Sequence, residues 1–60
     1  MEQNLPKDPV MLLSYVNTKL RDFYSSLGEF CEDFEISEEE LVSRLAGIQY
    51  RYDADKNQFL

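Results

Sequence analysis

Histidine and tryptophan are absent from this sequence, and cysteine occurs once, at Cys31. Without histidine the chain lacks the commonest general base and the commonest metal ligand. One thiol and no imidazole cannot assemble a structural zinc site within one chain, and a lone cysteine excludes an internal disulfide. Long apolar runs are missing as well, since no stretch approaches the ~20 residues that cross a bilayer. Met1-Glu2-Gln3-Asn4-Leu5-Pro6 has no basic region followed by an apolar one, so it does not read as a secretory leader. A single thiol suits a reducing compartment. The expectation is a cytoplasmic chain with no cofactor, no metal and no membrane partner.

Basic side chains are scarce, six against twelve acids, for a net charge of -6. The imbalance is local. Before residue 29, Glu2, Asp8 and Asp22 balance Lys7, Lys19 and Arg21; from Glu29 onward, nine acids face Arg44, Arg51 and Lys56. Such a surface repels phosphate backbones and anionic membranes, which argues against nucleic acid as a partner. Sixty residues give room for one domain, and a chain this short buries only ~60 % of its unfolded surface. Stability must come from tight helix packing, from self-association, or from both.

What is present patterns as helix. Residues 1–7 read as an extended lead-in, with Pro6 disfavouring helix at Leu5. Asp8-Pro9 is a helix start, because aspartate caps free amides and proline tolerates the first helical position. Over residues 8–24 the apolar side chains Leu12, Leu13, Val16, Leu20, Phe23 and Tyr24 fall on one helical face. Ser26 with Glu29 forms a capping-box signature, and Leu27, Phe30, Cys31 and Phe34 form the buried stripe of a helix over 26–35. Ser37 with Glu40 repeats the signature for a helix over 37–47, with Gly47 as its stop signal. Ile48, Tyr50 and Tyr52 then alternate with polar residues as a strand does, and the turn formers of 53–57 lead into Gln58-Phe59-Leu60. The fold class expected is therefore mainly α: one domain of three helices, its second half helix-turn-helix-like, with a C-terminal β-hairpin over 49–60. The predicted core comprises Leu12, Leu13, Val16, Leu20, Phe23, Leu27, Phe30, Cys31, Phe34, Ile36, Leu41, Val42, Leu45, Ile48 and Tyr52.

The segments Leu5-Pro6-Lys7-Asp8-Pro9-Val10-Met11-Leu12-Leu13-Ser14 and Val16-Asn17-Thr18-Lys19-Leu20-Arg21-Asp22, then Tyr24-Ser25-Ser26-Leu27 and the closing Tyr52-Asp53-Ala54-Asp55-Lys56-Asn57-Gln58-Phe59, carry a resemblance. The chain resembles a family of small bacterial proteins known as domain of unknown function 4250, over nearly its whole length. The family's pattern has a glycine before the first tyrosine of the tail, where this chain has Gln49. The resemblance implies a bacterial, stand-alone protein and supplies no activity, ligand or catalytic residue.

Helix, short turn, helix and hairpin from Leu27 to Leu60 also look like a helix-turn-helix unit followed by a wing. Docking such a unit on DNA requires positive charge on its second helix. Here that helix opens with Glu38, Glu39 and Glu40 and has Arg44 as its only base, so repulsion is expected to win. A winged-helix-like DNA-binding regulator stays as the alternative reading. Asp53-x-Asp55-x-Asn57 matches the first ligands of a calcium loop, but Gln58 replaces the required glycine and no closing glutamate follows. The plainer reading is a polar hairpin turn. Cys31 lies on an apolar helix face with no base to activate it, which makes it a core residue. The remaining acids fall on caps and solvated faces, and the chain is too short to wall a pocket of ordinary ligand size. No enzyme is expected.

Two surfaces stand out as candidates. Met11 and Tyr15 lie i, i+4 outside the core stripe of the first helix, beside Thr18 and Asp22. They either pack beneath the hairpin or lead-in, or form the centre of a protein-contact surface, including a homodimer interface. The acidic stretch holding Glu32, Asp33, Glu39 and Glu40 is either a solvated face or a docking patch for a basic partner. The function expected is a small acidic protein-interaction module whose protein partner the sequence does not name.

Overall fold

The structure, a computed structural model, describes residues 5–60, so the first four residues of the expected lead-in lie outside the described part. Three helices precede a short antiparallel hairpin: α1 Pro9–Asp22, α2 Leu27–Phe34, α3 Glu38–Ala46, β1 Tyr52–Asp53 and β2 Gln58–Phe59. The fold is mainly α, as the patterning predicts.

Each helix starts where a side chain satisfies its free amides. Asp8 accepts from the Met11 N–H at 3.0 Å with Pro9 next in the chain, and Ser26 and Ser37 accept from the Glu29 and Glu40 N–H groups. Glu29 reaches back to the Ser25 N–H at 3.1 Å, one residue before the cap. Such caps typically contribute ~1 kcal/mol each. The ends of α2 and α3 are built alike. The Ile36 N–H bonds to the Cys31 carbonyl and the Tyr50 N–H to the Leu45 carbonyl, each spanning a residue in the left-handed region. Those residues are Glu35 at φ 56° and Gln49 at φ 68°. This is the Schellman termination, which glycine usually occupies.

Leu12, Val16 and Leu20 of α1 meet Leu27, Phe30, Cys31 and Phe34 of α2, Leu41 and Leu45 of α3, and Phe59 of β2 in one buried cluster. Phe30 stacks on Phe34 at 4.3 Å, and Tyr24 meets both edge-on. Leu5, Leu13, Ile36, Ile48 and Tyr52 pack on the cluster half-buried.

Several expectations fail for identifiable reasons. The first helix stops at Asp22, two residues before Tyr24, and Phe23 caps it at φ -128°. That break turns the Phe23 ring out of the core stripe, leaving it 69 % exposed. Val42 lies mid-way along α3 beside its buried face and is 36 % exposed rather than buried. Gly47 caps α3 as its reading as a stop signal expects, at φ -62°, and the left-handed turn follows two residues later at Gln49. That turn uses Ile48 and Tyr50, so they do not join a strand, and the paired segments shrink to Tyr52↔Phe59 and Asp53↔Gln58. Phe59, which the predicted core omits, is 1 % exposed.

So small a hairpin needs anchoring, and two asparagines supply it. Asn17 in α1 donates to the Phe59 carbonyl at 3.1 Å and accepts from the Phe59 N–H at 2.8 Å. Asn57, at φ 53°, donates to the carbonyls of Leu20 and Tyr24 at the end of α1. Its side-chain oxygen accepts from the Tyr52 hydroxyl, which itself accepts from the Leu27 N–H opening α2. One network thereby ties the end of α1, the start of α2 and the hairpin.

Candidate protein-contact surfaces

The stripe predicted on α1 divides when placed in three dimensions. Met11 points outward, 63 % exposed, and Thr18 and Asp22 are exposed as well. Tyr15 instead turns towards α2, half-buried, edge-on to Phe34 with ring centroids 6.1 Å apart. Lys19 bridges the aromatic groups on this flank, its Nζ 5.3 Å from the Tyr15 ring and 5.0 Å from the Phe23 ring. Such cation–π contacts at exposed sites are worth ~0.5–1 kcal/mol. Asp22 is engaged by its neighbour: Arg21 donates to both its carboxylate oxygens, at 2.9 and 3.1 Å. That bond holds the Asp22 carboxyl below its ordinary range and the guanidinium above its own. Met11 and Thr18 thus face solvent and Asp22 is paired with Arg21, while Tyr15 packs on Phe34.

Glu32, Asp33, Glu39 and Glu40 are all exposed. Asp33 accepts the Tyr24 hydroxyl at 2.5 Å, and this bond pushes the phenol above its ordinary pKa. Glu39 and Glu40 stand in the first turn of α3, where the helix dipole favours them. The four acids thus divide between the Tyr24 contact and a helix entrance. Cys31 is buried, and burial first, then the Glu38 charge, raises its thiol pKa, the opposite of what a reactive cysteine needs.

The Asp53-Asn57 segment forms a turn held by its own side chains. Asp53 accepts from the Asp55 and Lys56 N–H groups at 2.9 and 3.3 Å, while the Asn57 amide is spent on α1 and Tyr52. No cluster of three acidic or cysteine residues placed to hold a metal occurs among the described residues.

Sequence reasoning missed a groove of about 790 Å³ between α1 and the returning chain of β2. Val10, Leu13, Tyr50 and Leu60 give it apolar walls, and Arg21 and Lys56 line it too. Val10 is 62 % exposed. The available signal was the pair Val10 and Leu13, apolar on the α1 flank opposite Tyr15.

Residues 6–59, almost all of the folded chain just described, match one family pattern. The chain belongs to the family described as Domain of unknown function (DUF4250). No curated protein and no solved structure matches it. Among the described residues, no helix is long and apolar enough to cross a membrane.

Proposed function

We propose that this chain is a non-catalytic protein-interaction module of the bacterial cytoplasm. The observation that carries the reading is on α1 and its cap, where Val10, Met11 and Phe23 are each more than 60 % exposed. The described interior, by contrast, is closed: no buried side-chain nitrogen or oxygen there lacks a hydrogen-bond partner. Apolar side chains of this size gain free energy when a partner covers them, which supports the reading. The exposed Glu38, Glu39 and Glu40 at the start of α3 weigh against a phosphate partner. Because Tyr15 is taken up by Phe34, a homodimer centred on Met11 and Tyr15 has less support than a different protein partner.

A photocrosslinking amino acid placed at Met11, Phe23 or, as an exposed polar control, Ser43 tests this in the native host. Discrete adducts from the two apolar positions and none from Ser43 are expected. One indistinct ladder from all three positions refutes the reading. A DNA fragment retarded by the protein at low salt, with retardation fading steeply as salt is added, refutes it in favour of the winged-helix alternative.

A further inference from the structure

The groove beside α1 has a direction, fixed by the bonds that join helix and hairpin. Asn57 is bonded to Leu20 and Tyr24 at the end of α1, and Phe59 to Asn17 near its middle. The chain therefore runs antiparallel to α1 and brings Leu60 towards Leu13 and Val10. One end of the groove is apolar, made by Val10, Leu13, Tyr50 and Leu60. The other end holds Arg21 and Lys56. No acidic side chain lines it, in a chain where acids outnumber bases twelve to six. The Arg21 pair with Asp22 lies on the surface with the arginine side chain 74 % exposed, so exchanging that partner costs little.

We propose that this groove binds an acidic amphipathic segment of a partner protein. A bulky apolar residue of that segment rests against Leu13 and Tyr50, and its carboxylates meet Arg21 and Lys56. The spacing follows from the helix. Leu13 and Arg21 are separated by about 12 Å at 1.5 Å per residue, which an extended peptide covers in about four residues. The groove is partly open to solvent, unlike the enclosing pockets that small ligands use. Two cations on a chain of net charge -6 are too few for a polyanion such as nucleic acid. This inference rests on the protein-interaction reading and gives it a location and a partner chemistry.

The test titrates the isotope-labelled full chain with two seven-residue peptides while backbone amide resonances are followed. One peptide carries two leucines, three uncharged spacers and two glutamates; its twin has two lysines in place of the glutamates. The acidic peptide is expected to shift the amides of Leu13, Ser14, Gln58 and Leu60 and to bind about tenfold more tightly than its twin. In the variant Arg21→Glu, Lys56→Glu the preference reverses; both side chains are exposed, and an unchanged circular dichroism spectrum verifies the fold. Equal affinity for the twins, shifts centred on α2, or tighter binding of decanoate than of the acidic peptide overturns the proposal. So does a dimer that Tyr50→Glu dissociates, because a second copy would then fill the groove. If the peptides fail while Met11 still crosslinks to a discrete partner, only the groove assignment falls. If Met11, Phe23 and Tyr50 all fail to crosslink, the interaction reading falls with it.

Discussion

Replacing Asn57 tests whether one turn residue holds the halves of the molecule together. Its amide makes three bonds: to the Leu20 carbonyl at 3.1 Å, to the Tyr24 carbonyl at 2.9 Å and from the Tyr52 hydroxyl at 2.6 Å. Asn57→Gly deletes them all yet accommodates the backbone at φ 53°. At ~1 kcal/mol for each half-buried bond, the loss is about 3 kcal/mol. Asn57→Ala loses the same bonds and adds left-handed strain, roughly 1 kcal/mol more. Domains of this length have about 3–9 kcal/mol of stability in all. Either substitution therefore removes a third of the total or more. Urea unfolding followed by circular dichroism reads the effect directly. With a slope of ~1 kcal/mol per molar for a small domain, Asn57→Gly lowers the midpoint by about 3 M, or leaves the chain unfolded in buffer. Two variants within ~0.5 kcal/mol of the parent would refute the network as a structural tie. A glycine variant less stable than the alanine one would refute the backbone half of the reasoning.

Gln49→Gly should stabilise the domain, because it places glycine at φ 68°, a conformation that costs a residue with a Cβ. Relief of strain less the added chain entropy leaves about 0.5–1 kcal/mol, a rise in melting temperature of roughly 4–8 °C; a fall in a calorimetric scan contradicts this. Of the four tyrosines, Tyr24 should ionise above the ordinary phenol range because of its bond to Asp33, and Tyr24→Phe should remove that late step from the ultraviolet titration. Since the folded pKa is raised, the stability this phenol contributes is complete below the unfolded pKa of ~10 and is lost as pH rises through the folded value. Cys31 should resist a thiol reagent in the folded chain and react once urea unfolds it; rapid modification of native protein would contradict its buried position.

The second helix is the most legible element, because its cap Ser26 and its buried stripe Leu27, Phe30, Cys31 and Phe34 are local features of adjacent turns. Phe23 misled because spacing places a side chain on a helical face only while the helix continues, and α1 ends one residue earlier. Gly47 was legible as the cap of α3, whereas the left-handed residue of that termination, Gln49, carries no glycine to announce it. Phe59 belongs to a two-residue strand, too short for alternation to reveal burial. The outward position of Met11 was legible from helical spacing, but the packing of Tyr15 was not, because its partner Phe34 comes from another helix. Asn17 and Asn57 look like ordinary polar residues in sequence, because their bonds reach 42 and 37 positions along the chain. The groove depends on those long-range ties and was invisible for the same reason.

The pair of hydrogen bonds between Asn17 and Phe59 occupies the place a neighbouring strand would take. A second hairpin arriving from that side finds the outward amide and carbonyl of Phe59 already engaged. Sheet growth is left with the far margin alone, and two copies joined there would each present a blocked side to any third. Fibrous stacking through this hairpin is thereby closed off by a single helical amide.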